Sequence, residues 1–204
     1  MLAPGKSYYQ IAGAEIETNF TGIKNNLVRV VFGSYCLEII DNFVKIGQAD
    51  RALFKLIEEL FFALSKITSK NILLFQGISK LFVLKLFALL GLTPELFFCV
   101  KWKNKIKPNK NFFNPILGGV VCEHCFEKFD VRLKSENILI STSAIKILRF
   151  AIKNNFNKIL ALKINKNQLD EVIKIMNLFL LINKDKELKT DKWISYLTQL
   201  SKTW

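Results

Sequence analysis

Apolar residues recur at helical spacing from Ile23 to Ile46, with Ile23, Leu27, Val30, Val31, Leu37, Ile40 and Val44 on one broad face. Such a face predicts a helix packed on one side, and Gly33 and Ser34 leave room there for a neighbouring helix. A second helix follows Asp50, whose carboxylate can cap free N–H groups at its start. Leu53, Phe54, Leu56, Ile57, Leu60, Phe61 and Leu64 form its stripe, and Glu58 and Glu59 face away. The third runs from Ile72 to Leu90 behind Thr68 or Ser69 as cap and stops at Gly91 and Pro94. It is apolar nearly all round, so neighbours must wrap it and it belongs in the middle of a bundle.

The periodicity then lapses. Pro94 to Leu133 reads as non-helical, because it holds Pro108, Pro115, Gly118, Gly119 and three of the four cysteines. Asn137 to Ile140 predicts a short strand. Helix returns from Ser143 to Lys153, behind Ser141 or Thr142 as cap, with Ile145, Leu148 and Ile152 inward. Another begins at Asn167, with Asp170 completing an imperfect capping box and Leu169, Ile173, Met176 and Leu180 as its stripe. A last helix spans Asp191 to Leu200 and buries Trp193, Tyr196 and Leu197. At the other end, Tyr8 to Glu17 is β-branched and aromatic enough for a short strand, with no hairpin partner before it. The pattern predicts a mainly α fold: a helical bundle, residues 21–95 and 136–204, interrupted by a small ribbon, residues 96–135.

At 204 residues, half of them hydrophobic, the chain can bury a real core. Its formal charge of +13 suggests an anionic partner, nucleic acid or an anionic membrane surface. Part of that surplus needs no partner, because the excess of Lys, Asn, Ile and Phe is what AT-rich coding produces. Only Arg29, Arg51, Arg132 and Arg149 could grip phosphate or guanine bidentately, which favours backbone contact over sequence readout. Lys101, Lys103, Lys105, Lys107 and Lys110, with Arg132 beyond them, are the candidate nucleic-acid contacts. They interleave with Trp102, Ile106, Phe112 and Phe113, the composition of a single-strand groove. The plainer reading is a solvated loop that Phe112 and Phe113 pin to the bundle. Ile72 to Leu92 has the length of a membrane span, but Lys80 and Lys85 would each cost about 2.5–3.5 kcal/mol near a bilayer centre, which favours a buried core helix. Met1 to Gly13 lacks a basic start followed by an apolar run, so a cytoplasmic protein is expected. A single histidine, no phosphate-cradling glycine loop, no Gly-x-Ser-x-Gly and no clustered carboxylates argue against an enzyme and for an interaction protein.

The chemistry that stands out is Gly118-Gly119-Val120-Val121-Cys122-Glu123-His124-Cys125, with Cys99 upstream. Two glycines allow a tight turn, and a Cys-x-x-Cys pair after it can grip one tetrahedral zinc. Cys99, Cys122 and Cys125 supply three ligands. Trp102 stands where a second pair would end, and its indole only donates. His124, Glu123 or a water could be the fourth. Cys36 lies alone in an apolar helix, and a lone thiol plus a local cluster fits a reducing compartment and a metal better than a disulfide framework.

These stretches come in a telling order. Tyr9–Ile16, Ser34–Asp41, Phe82–Leu96, Cys99, Phe112–Pro115, Gly118–Cys125 and Glu187–Thr190 together resemble RecO, the bacterial recombination mediators. The resemblance implies an N-terminal OB-fold followed by a helical domain with a zinc-binding insert. It implies binding of single- and double-stranded DNA, strand annealing, contacts with RecR and the single-strand-binding protein, and help in loading RecA during repair. Residues 1–20 would then be the remnant end of the OB-fold, with Tyr8–Phe20 its last strand, and the four-cysteine pattern is broken at Trp102. An acidic tail of the single-strand-binding protein would suit an apolar groove with lysines at its rim. Two other readings stand beside the mediator: a partner-docking module without direct DNA binding, and a basic membrane-associated protein.

Overall fold

The computed structural model describes residues 2–4, 9–45, 50–68 and 71–200. β1 (Leu2–Pro4) pairs antiparallel with β2 (Tyr9–Ile11), Leu2 opposite Ile11. The expected strand therefore does have a partner before it, three residues too short to show a pattern, and ends at Ile11; Tyr8 lies outside the described residues.

The first expected helix is two. α1 (Thr21–Lys24) ends at Asn25, and Asn26 caps α2 (Leu27–Phe43) by accepting the Arg29 N–H at 3.1 Å. The buried face of α2 is Val31, Phe32, Tyr35, Cys36 and Ile39, whereas Leu27, Val30 and Leu37 are exposed. So many of its positions are apolar that spacing alone admits more than one inward face. Ile46 lies outside the described residues. α3 (Arg51–Lys66) starts as expected, Asp50 Oδ1 accepting from the Ala52 and Leu53 N–H groups at 2.8 and 3.0 Å, but Phe54 on its stripe is exposed.

α4 (Ile72–Leu89) is the central helix, packed against α2 and α3 and against two later helices, α7 (Thr142–Lys153) and α9 (Lys166–Asn183). By length and composition it could cross a membrane, yet most of it is buried inside the fold, so its apolar surface goes to the core. Its cap is Asn71, which accepts the Leu73 N–H at 3.0 Å, where Thr68 or Ser69 was expected; Ser69 lies outside the described residues. The close helix approach falls at Gly77, where a Cβ would sit 2.3 Å from Leu169 Cδ1 on α9. At Gly33 the nearest side-chain atom would be 3.8 Å away, so that glycine is not what brings a neighbour close.

Beyond α4 the chain forms β3 (Asn111–Asn114), β4 (Gly119–Cys122), α5 (Glu123–Glu127), α6 (Val131–Ser135) and β5 (Ile138–Ile140). The strands make an antiparallel sheet in the order β4-β3-β5, with Phe113 opposite Val120 on one side and Ile138 on the other. The segment is thus not wholly non-helical: α5 and α6 are one-turn helices too short to show a period.

The bundle resumes with α7 (Thr142–Lys153), capped by Ser141, α8 (Phe156–Leu160), capped by Asn155, and α9 (Lys166–Asn183). A full capping box between Asn165 and Gln168 opens α9, in place of the imperfect one at Asn167 and Asp170. α10 (Thr190–Leu200) packs on α2 and buries only Leu197; Trp193 and Tyr196 are exposed. One apolar cluster runs from the bundle through Leu96, Phe113, Val120 and Val121, and the Phe113 ring meets Phe179 of α9 edge-on at 5.9 Å.

Candidate functional site

The turn before β4 is built around Glu95. Its backbone N–H donates to Gly118 O at 2.9 Å, its carbonyl accepts from Val120 at 2.8 Å, and its carboxylate accepts from Phe97 and Phe98 at 2.7 and 3.0 Å. Gly118 has φ +72°, and a Cβ on Gly119 would lie 2.4 Å from Glu95 O, so both positions require glycine. Arg149 of α7 then clamps this lobe to the bundle: its guanidinium donates to Leu96 O and lies 4.7 Å from the Phe97 ring centre. Arg149 and Glu95 acquire these roles only through the fold, and nothing in the local sequence marks them.

The clamp brings Cys99 against β4, where the Cys122 N–H donates to Cys99 Sγ at 3.5 Å. The sulfurs of Cys99, Cys122 and Cys125 all lie within 4.8 Å of one another. Thiolates sharing a tetrahedral ion at about 2.3 Å would stand about 3.8 Å apart, so the set fits three corners of such a site. Burial pushes the Cys99 thiol up, but backbone N–H groups of Trp102, Cys122 and Lys101 bring it below its ordinary value. Burial, then the proximity of Cys122 and Cys99, pushes Cys125 up to about 12. Three crowded sulfurs with one strongly disfavoured as thiolate is a group that a cation would stabilise.

Among the described residues no histidine or carboxylate joins these sulfurs. His124, a candidate fourth ligand, is exposed and stacks on Trp102 with ring centres 4.3 Å apart; Glu123 is also outside the cluster.

The candidate nucleic-acid contacts Lys101, Lys103, Lys105, Lys107, Lys110 and Arg132 are all exposed. Most of the apolar residues interleaved with them are not. Phe112 stacks on Phe126 at 3.6 Å, and Phe112, Phe113 and Ile106 are buried, so they pin the loop as the plainer reading had it. Only Trp102 is left exposed among them.

A second feature lies in the bundle. A cleft of about 640 Å³ opens between α2, α4, α9 and α10, walled by Leu178, Leu181 and Ile194. Lys80 forms its floor, 8% exposed, donating to the Tyr35 hydroxyl. Burial brings the Lys80 ammonium down to about 8 and holds the Tyr35 phenol well above its ordinary value. The cleft's one carboxylate, Asp191, pairs with Lys184 at 3.4 Å, and among the described residues none is within ion-pair distance of Lys80. Cys36 sits beside this floor, and burial pushes its thiol up to about 12, as expected of an inert core cysteine.

The edge of the cleft joins two stretches far apart in sequence. Glu38 of α2 accepts from the Lys189 and Thr190 N–H groups at 2.8 and 3.0 Å and from the Thr190 hydroxyl, so it caps α10. Burial alone would raise the Glu38 carboxyl, and these donors turn the shift downward.

A mainly α bundle carrying a three-cysteine lobe narrows the class to helical proteins with an insert whose cysteines could hold a metal. Residues 24–192 match the family described as recombination protein O, C terminal. DNA repair protein RecO of Dehalococcoides mccartyi strain BAV1 is 29% identical over 96% of this chain and 73% of its own length. The DNA repair protein RecO of Desulforamulus reducens is 26% identical over 97% of the chain and 73% of its own length. That of Caldicellulosiruptor saccharolyticus is 26% identical over 76% and 63%. The chain belongs to the RecO family, which assigns it to DNA repair and recombination.

Proposed function

We propose that the chain is a non-enzymatic recombination mediator of the bacterial cytoplasm and nucleoid. It binds single- and double-stranded DNA, anneals strands, and, with RecR and the single-strand-binding protein, helps load RecA. Residues 1–20, the bundle of 21–95 with 136–204, and the insert of 96–135 are its working parts, and zinc on Cys99, Cys122 and Cys125 orders the insert. The observation that carries the DNA reading is the unpaired state of the lobe's cations. Among the described residues the one ion pair is Lys184–Asp191, and Lys103, Lys105 and Lys107 have no acid partner. Exposed ammoniums beside buried aromatics suit phosphate contact without base stacking. Changing Lys103, Lys105 and Lys107 together to Gln should lower the slope of log affinity for single-stranded DNA against log salt by about 2, at about 0.7 per phosphate contact. An unchanged slope refutes the assignment.

The lysine-floored cleft favours a second, compatible activity: docking an acidic, apolar tail such as that of the single-strand-binding protein. A buried ammonium with no carboxylate at ion-pair distance among the described residues, walled by leucines, suits a peptide carrying both acidic and apolar groups. Lys80→Ala should abolish capture of that tail while leaving naked-DNA binding intact. Capture that survives the substitution rules the cleft out.

A further inference from the structure

We infer that the cysteine lobe holds its ion through three thiolates alone and leaves the fourth coordination position open to a small anion from solution. The inference rests on the metal reading of the lobe; its test does not depend on DNA binding.

The loop that should carry the fourth ligand keeps the shape of a ligand turn. Phe98 bridges to Lys105, the Cys99 N–H donates to Asn104 O at 2.8 Å, and the Lys103 N–H donates to Cys99 O at 2.8 Å. Lys103 closes the turn in the left-handed region, φ +57°, where glycine would be the easier residue. Position 102 therefore follows Cys99 in a tight turn with the same spacing by which Cys125 follows Cys122. The turn persists while the ligand does not, because an indole N–H cannot coordinate.

Among the described residues no nearby side chain replaces it. His124 is taken up by its stack on Trp102, two rings 16° from parallel. Asp130 Oδ1 accepts the Leu133 N–H at 2.7 Å, and neither Asp130 nor Glu123 reaches the sulfurs. What does reach Cys125 is a cleft of about 420 Å³, which Trp102 and His124 line with Lys101 and Lys128. Both ammoniums stand over aromatic faces, Lys128 at 5.2 Å from the Trp102 ring centre and Lys101 at 5.7 Å from that of Phe129. Asp130 also lines the cleft, so its two ammoniums outnumber its carboxylate by one, and a cleft of that sign ending at an incompletely ligated ion draws a small anion, which displaces a bound water without any change of oxidation state.

The test is cobalt(II) titration of the full chain, read by thiolate charge-transfer absorption, with azide as the anion probe. The wild type should bind one cobalt at about three quarters of the charge-transfer intensity of Trp102→Cys, and azide should shift its visible bands. Trp102→Cys should bind the ion about tenfold more tightly or better and lose the azide response. His124→Ala should leave the wild-type spectrum unchanged. A wild type that binds no cobalt overturns the metal reading itself. Binding with loss of intensity in His124→Ala, or without any azide response, overturns the open position alone. Should Trp102→Cys fail to fold, the sulfur count from X-ray absorption of the wild type decides: three sulfurs and one oxygen or nitrogen support the inference, and four sulfurs, or a nitrogen lost in His124→Ala, refute it.

Discussion

The bundle and the cysteine lobe share one apolar cluster, yet they treat polar groups in opposite ways. In the bundle, chemistry is muffled: Cys36 is fully buried and held as a thiol, and Lys80 is lowered towards neutrality against Tyr35. In the lobe, three sulfurs crowd one another, and the lysines are exposed, with Lys103, Lys105 and Lys107 lacking an acid partner among the described residues. The bundle is stable because α4 is wrapped by helices on several sides, which leaves the lobe free to keep groups that would be costly inside a core. The difference also says where each region is vulnerable. The bundle depends on packing volume, and the lobe on a few clamps and a turn.

The sharpest way to break the contrast is to hollow the bundle. Phe87 is fully buried and meets Phe43 at 4.9 Å and Phe179 at 5.6 Å, so Phe87→Ala should cost about 3–5 kcal/mol and lower the denaturant midpoint for both regions together. Loss of the bundle signal with the lobe intact would show that their cores are separable. Gly119→Ala acts in the other direction. Its Cβ would press on Glu95 O, so it should cost about 1–3 kcal/mol, and hydrogen exchange should rise in β3 and β4 while α4 stays protected. Equal exchange in both regions would contradict the local clamp.

Glu38→Gln should cost about 1 kcal/mol, the usual worth of a helix cap. Because the folded carboxyl lies below its ordinary 4.5, its contribution is present above that pH and is lost as pH falls through the lower folded value. The acid limb of the stability profile should therefore flatten in the variant, as followed by denaturation between pH 3 and pH 6, on the order of the carboxylate range. The smallest effect at neutral pH belongs to Lys80→Met, where relief of a buried ammonium is offset by a Tyr35 hydroxyl left without its partner; a net change within about 1 kcal/mol is expected. With the folded amine at about 8 and the free one at 10.5, the unfolded chain binds more protons at Lys80 between those values, so Lys80 contributes a rise in stability with pH across that window, which the raised Cys36 and Cys125 thiols oppose above their ordinary 9.0. In Lys80→Met that rise should vanish.

Element existence was legible wherever a long apolar period met a strong stop or cap, as for α3 behind Asp50, α4 before Gly91, and α7 behind Ser141. Which face turned inward was less legible. The spacing puts Leu27, Val30 and Leu37 on the inward face and passes over Phe32 and Ile39, which are the buried ones, and it buries Trp193 and Tyr196 along with Leu197. The inward face is decided by which neighbours arrive, and spacing within one helix carries no record of them. The three thiols were legible as a set because their types and spacing are rare; the stacking of His124 on Trp102 was not, since adjacency across two turns is a property of the packed lobe.

The chain by itself determined a mainly α bundle with a cysteine-bearing interruption, and its ordered stretches pointed to the RecO family that the matches over residues 24–192 bear out. Those features are local: period, cap, turn and residue type act over a few positions. Only the tertiary structure decided that Glu38 caps a helix 152 residues away, that Lys80 floors a cleft, and that Phe112 and Phe113 serve the core. Each of these depends on contacts between distant segments, whose free energy exists only when the whole chain has closed around α4.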